Sequence, residues 1–184
     1  MVSLLELLRS GGYILYARHG EATVGEDQPT VNFYDCATQR NLSELGRNQA
    51  IYYGRVLRAL QIPISSPVVT SPFCRTIETG ALAFGNQNIQ VDPFWINIYN
   101  LSQSQNQSNT GKEKILKNLQ SILEIKPPNG LNNVIIAHSF PKGVGLDDIP
   151  YMGTVIVKPK GPSNGYEVIA RLSLADFYKI ATTK

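Results

Sequence analysis

The chain has 184 residues, 42% of them hydrophobic, which is enough for one domain with a sizeable core. Charged residues make up only 17%, which excludes a disordered chain or a coiled coil. A formal charge of +3 and a pI near 8.8 suit an anionic substrate, yet no Lys/Arg block is dense enough for nucleic acid.

Val2 to Leu8 reads as a short amphipathic helix closed by Gly11-Gly12. Tyr13 to Ala17 follows as an apolar strand with Arg18, His19, Gly20 and Glu21 at its tip. Open α/β sheets bind their ligands at that end of a strand. From Ala22 to Asn41 the periodicity is lost. A loop of this length inside a compact domain is usually functional, and this one gathers Glu26, Asp27 and Arg40 near the strand end.

Ser43 is an N-cap for a helix to about Leu60, in which Gly46 and Gly54 permit close packing on a sheet. Val68 to Ser71 is a second strand. Pro72 stands at the N1 position of a helix over Phe73–Phe84 that carries Arg75 in its first turn and stops at Gly85. A third strand begins at Ile89 and breaks at Pro93. The polar stretch Asn100–Asn109 reads as a solvated loop, and Thr110 with Glu113 as a capping box opening the next helix.

Val134 to Ala137 is apolar throughout, as a central parallel strand should be, and it ends in His138. Thr154–Val157 and Tyr166–Leu172 form an antiparallel hairpin, and Ser173 caps a last helix. The alternation of strand and helix predicts an α/β fold, a three-layer αβα sandwich around a mostly parallel sheet with an antiparallel edge. Without repeats or linkers, residues 1–184 are expected to form a single domain. Cys36 and Cys74 have no metal-site spacing and read as two free thiols in a reducing compartment. No signal peptide and no apolar run of the ~18–20 residues needed to span a membrane is visible, so a cytoplasmic protein with no membrane partner is expected.

His19 and His138 are the only two histidines, and each ends a strongly apolar strand. Core histidines satisfied by backbone carbonyls are the bland alternative. With Arg18 and Arg75 they make a cationic pocket around a nucleophile, which is what phosphoryl transfer needs. Two arginines and a histidine supply the field without a metal or other cofactor.

The chain resembles the histidine phosphatase superfamily, which includes the phosphoglycerate mutases. The matching residues are Arg18-His19-Gly20-Glu21, then Asn41-Leu42-Ser43 with Gly46 and Gln49-Ala50. Ser71-Pro72-Phe73-Cys74-Arg75-Thr76 with Glu78-Thr79 follows, and then Ile135-Ile136-Ala137-His138. The resemblance implies a phosphohistidine on His19, with Arg18, Arg75 and His138 binding the phosphoryl group, and a substrate that is a phosphomonoester or phosphoamino acid.

Two departures matter. Asn97 stands where the family has its glutamate general acid, and no carboxylate occurs between Asp92 and Glu113. Glu21, Glu26 and Asp27 are the candidate replacements, with Asp147 and Asp148 also in view and Asp92 a weaker one. Glu78, three residues after Arg75, is expected to orient that arginine. Beyond His138, Ser139 is a possible phosphate ligand and Lys142 a possible addition to the basic field. Phe94, Trp95 and Tyr99 are candidates for the pocket mouth, although packing is the commoner role. The alternatives to a phosphatase are a phosphate-binding regulatory protein that has lost turnover and, ranked last, a mutase. Oligomeric state is not legible.

Overall fold

The two histidine-tipped strands lie side by side in a computed structural model that describes residues 2–103 and 108–182. Strand β1 (Ile14–Arg18) runs parallel to the later strand Asn133–Ala137, with Ala17 opposite Ile136 and Arg18 opposite Ala137. His19 N–H then donates to the Ala137 carbonyl at 3.2 Å, so the register itself brings His19 and His138 to one level.

In chain order the described elements are α1 (Leu4–Ser10), β1, β2 (Ala22–Val24), β3 (Asn41–Leu42), α2 (Glu44–Ala59), β4 (Val68–Thr70), α3 (Cys74–Phe84) and β5 (Ile89–Val91). Then come α4 (Ile96–Gln103), α5 (Asn109–Leu123), β6 (Asn133–Ala137), β7 (Thr154–Pro159), β8 (Tyr166–Leu172) and α6 (Leu174–Thr182). The main sheet has the order β5-β4-β6-β1-β7-β8. Its first four strands are mutually parallel, and β7 and β8 are antiparallel. Strands β2 and β3 form a separate two-stranded sheet.

The alternation of side chains along β1 and β6 divides the core in two. Leu15, Ala17, Val134 and Ile136 face a cluster with Leu8 of α1, Tyr53 and Leu57 of α2, Ala83 of α3 and Phe177 of α6. Ile14, Tyr16, Ile135 and Ala137 face the other cluster, with Ile98 and Leu101 of α4 and Leu119 and Leu123 of α5. This is the expected αβα sandwich. Both faces of the central strands are covered, which is why their sequences are apolar without alternation.

Several details differ from the sequence expectation. Asn100–Gln103 complete α4, because Ile98 and Leu101 face the core and carry their polar neighbours into the helix; of the rest of the expected loop, 104–107 lie outside the described residues, and Ser108 and Asn109 belong to the cap and first turn of α5. Helix α5 is capped by Ser108, whose hydroxyl accepts from Gly111 N–H, rather than by Thr110. Pro72 precedes the cap of α3, which is Phe73. Gly46 and Gly54 do permit close approach, but to the backbone of Glu21 and of Ala83 on α3, not to the sheet.

The largest correction concerns the cysteines. Cys36 and Cys74 are joined in a disulfide, with 5.8 Å between their Cα atoms. They are 38 residues apart and are brought together only by tertiary structure, which spacing could not show. The free-thiol argument for a reducing compartment therefore falls. No helix among the described residues is long and apolar enough to cross a membrane.

Candidate active site

His19 stands where β1 ends, buried beneath the carboxyl edge of the sheet. Its Nδ1 lies 2.7 Å from the Gly20 carbonyl, and a carbonyl only accepts, so Nδ1 carries the proton. In the neutral ring Nε2 is then unprotonated and nucleophilic. Burial, followed by the nearby His138 and Arg75, holds the His19 pKa well below its ordinary value, so the neutral form prevails.

His138 caps β6 with its ring 5.6 Å from that of His19. Its tautomer follows from a chain of hydroxyls. Thr76 Oγ1 lies 2.7 and 2.8 Å from the carbonyls of Phe73 and Ser71, so its proton points toward them. It therefore accepts from Ser71 Oγ at 2.8 Å, and Ser71 accepts from His138 Nε2 at 2.8 Å. Nε2 is the protonated nitrogen and Nδ1 keeps the lone pair. Burial, and then Arg75, Arg18 and Arg40, depress the pKa of His138 as well.

Three guanidinium groups complete the site. Arg18 donates from Nη1 to the Ile149 carbonyl at 2.9 Å and lies 4.0 Å above the Tyr151 ring. Arg40 donates from Nη1 to the Ala22 carbonyl at 2.7 Å and to the Tyr151 hydroxyl at 3.1 Å. Arg75, wholly buried on the first turn of α3, donates to both oxygens of Asp27 at 2.9 and 3.2 Å. The Nε–H groups of Arg18 and Arg75 are buried and make no hydrogen bond with any described residue. Leaving such donors unpaired is costly.

Arg18, His19, Arg40, Arg75, Tyr99, Ser102, Gln103, His138 and Ser139 line a cavity of about 70 Å³. By the same measure about 10–15 Å³ holds one water, so the cavity has room for several waters or a tetrahedral anion. No carboxylate lines it among the described residues.

The expected site residues Arg18, His19, Arg75, His138 and Ser139 therefore converge on one cavity. Ser139 Oγ accepts from Ile149 N–H at 2.8 Å and lies 3.2 Å from Asp148, so its hydroxyl is already engaged. The candidate acids stand differently. Asp27 is ion-paired with Arg75 and also accepts from Arg40 N–H and the Tyr99 hydroxyl. These bonds outweigh its partial burial and hold its pKa below the ordinary value. Glu21 accepts from Ser43 Oγ at 2.8 Å, Glu26 is exposed, and neither lines the cavity. Asp92 caps the turn before α4, and Asp147 accepts from Gly143 and Asp148 N–H in a turn. Asn97 donates to the Phe94 carbonyl at 2.9 Å and does not line the cavity.

Two expected partnerships are corrected. Glu78 pairs with Arg47 at 2.6 Å, and Asp27, not Glu78, holds Arg75. On α3, Glu78 projects toward α2, whereas the guanidinium of Arg75 turns to the loop between β2 and β3. Of the three aromatic candidates only Tyr99 lines the cavity; Trp95 is buried against Tyr16 and Phe94. Lys142 is exposed and does not line the cavity.

The structure adds Arg40, which lines the cavity, Tyr151, which contacts Arg18 and Arg40, and the Ser71–Thr76 pair, which bonds to His138. Arg40 did have a signal, since it directly precedes the block Asn41-Leu42-Ser43.

No family model matches the sequence, and no curated protein does. Solved structures do. The chain is similar to Entamoeba histolytica phosphoserine phosphatase in complex with 3-phosphoglyceric acid, at 16% identity and a TM-score of 0.55, covering 88% of this chain and 96% of that one. It is also similar to the protein histidine phosphatase SixA complexed with tungstate, at 16% identity and a TM-score of 0.54 over 89% and 98% of the two chains. The chain has the histidine phosphatase fold. A mycobacterial glucosyl-3-phosphoglycerate phosphatase, at 16% identity and a TM-score of 0.56 over 86% and 97%, shares it. In this histidine phosphatase fold the two histidine-tipped strands are β1 and β6, the adjacent pair at the sheet centre.

Proposed function

We propose that this protein is a metal-independent phosphatase that works through a phosphohistidine on His19. The observation that carries the reading is the tautomer of His19: Nδ1 is committed to Gly20, so Nε2 offers its lone pair inside a cavity lined by three arginines.

The phosphoryl group of a monoester enters with its oxygens among Arg18, Arg40 and Arg75. Nε2 of His19 attacks phosphorus, forming the P–N bond as the bond to the leaving oxygen breaks in line. Charge accumulating on the equatorial oxygens is met by fixed guanidinium groups, so the stabilisation needs no metal. Asp27 keeps Arg75 oriented and cannot donate a proton while ionised. Water then attacks phosphorus, returning the electron pair of the P–N bond to Nε2 and releasing inorganic phosphate.

With no carboxylate lining the cavity among the described residues, the leaving oxygen departs without help from such an acid. That help is typically worth ~10²–10⁴-fold. The enzyme therefore favours leaving groups of low pKa. Rates measured over a series of aryl and alkyl monoesters are expected to fall steeply as leaving-group pKa rises; a flat series with a bell-shaped pH profile would show that an acid operates. The disulfide suits an oxidising compartment.

A further inference from the structure

We propose that a groove beside the cavity binds an uncharged aromatic leaving group, which makes the substrate an aryl phosphomonoester of the phenyl phosphate type. This rests on the phosphatase reading above and names the part of the substrate that the small cavity leaves unplaced.

The groove has a volume of about 590 Å³, within the range of small-molecule sites. One wall comes from the loop between β2 and β3, through Val31 and Phe33, and the other from Ile96 and Tyr99 of α4. Phe73 lies between them, its ring 5.1 Å from Phe33 in an edge-on arrangement and 4.5 Å from Tyr99. Phe73 is buried and forms the floor; Tyr99 and Gln103 line both groove and cavity, so a phosphoryl group among the arginines has its ester substituent directed past Tyr99 toward Phe33. Rings stack on such faces edge-on or offset, beyond what burial alone gives.

Charge narrows the class further. Among the described residues the only carboxylate lining the groove is Asp27, and both its oxygens are taken by Arg75. Among the described residues no lysine or arginine lines the groove, so a leaving group bearing a carboxylate finds no counter-charge there. The acid-free cavity points the same way: a phenol, with a pKa of about 10, leaves far more readily than an alkyl alcohol.

Binding of phosphonates, whose P–C bond is not cleaved, separates recognition from leaving-group chemistry. Calorimetric titration with phenylphosphonate, methylphosphonate and phosphonoacetate is run on the intact protein and on Phe33→Ala and Ile96→Ala. Phenylphosphonate is expected to bind at least about tenfold more tightly than methylphosphonate, from ring burial, with phosphonoacetate the weakest. Either substitution is expected to narrow the preference to about threefold or less. Equal binding of the first two ligands, a preference unchanged in both variants, or tightest binding of phosphonoacetate overturns the aromatic groove while leaving the phosphatase reading in place. If none of the three binds, the phosphate cavity itself is misread and both fall.

Discussion

Asp27 grips Arg75 with both carboxylate oxygens, at 2.9 and 3.2 Å, across 48 residues of sequence. Arg75 is fully buried and Asp27 partly so, with 13% of its side chain exposed. The pair fixes the direction of a guanidinium that is to meet phosphate. Removing one partner of a buried pair strands the other, so Asp27→Ala is expected to lower stability by about 3 kcal/mol. Activity falls about 10–100-fold through misplacement of Arg75. The dependence of rate on leaving-group pKa stays as it is, because Asp27 gives no proton. A loss confined to poor leaving groups would instead make Asp27 the acid.

Ser71 holds the proton of His138 Nε2 in place through the chain to Thr76. Ser71→Ala removes that acceptor and frees the ring to change tautomer. The expected outcome is a fall of about tenfold or more in kcat, with a smaller change in KM, on the scale of a single lost orienting contact to a reacting group. Thr76→Val should act in the same direction and more weakly. Wild-type kcat in both variants would show that the chain orients nothing that matters.

The Cys36–Cys74 disulfide joins the loop that carries Asp27 and Arg40 to the residue just before Arg75. Closing a span of 38 residues stabilises the fold by about 4 kcal/mol in the chain-entropy model. Reduction with a dithiol is expected to lower both Tm and kcat/KM, and a Cys36→Ser, Cys74→Ser double variant to show the lowered values with no further response. Identical melting with and without reductant would contradict this.

Stability should depend on pH through the two histidines. Both have pKa values depressed in the folded state, so between those values and about 6.5 the unfolded chain binds more protons. The contribution is complete above about pH 6.5 and is lost as pH falls below it, by up to about 1.4 kcal/mol per pH unit for each histidine. Urea unfolding at pH 7 and pH 5 measures it, and His138→Gln should remove about half the slope. Asp27, also depressed, acts with the same sign in a lower window, near and below its ordinary 3.8. A flat profile from pH 7 to 5 would show that the rings are not held neutral.

Much of this was legible in the sequence because it is local. Two apolar runs ending in histidine locate the sheet centre and its active edge, and Ser43, Gly85 and Ser173 mark helix ends where the structure has them. What was hidden is long-range. The Asp27–Arg75 pair, the disulfide and the bond from Arg40 to Tyr151 each join residues whose proximity no periodicity encodes. Asp27 was a candidate acid because it is a carboxylate in the right loop; only its bonds to Arg75, Arg40 N–H and Tyr99 reveal it as a fixed anion. The helical Asn100–Gln103 was masked by its composition, since two apolar residues, Ile98 and Leu101, decide its packing.

The proposed mechanism turns on a phosphoryl group carried by His19. Rapid quenching under alkaline conditions after mixing with an aryl phosphate, followed by intact-mass measurement, tests it most directly. The expected result is a +80 Da species (the mass of one added HPO₃), labile to acid, mapped to the peptide containing His19 and absent from His19→Ala. Steady hydrolysis of the substrate with no such adduct at any quench time, or an adduct that persists in His19→Ala, would contradict it.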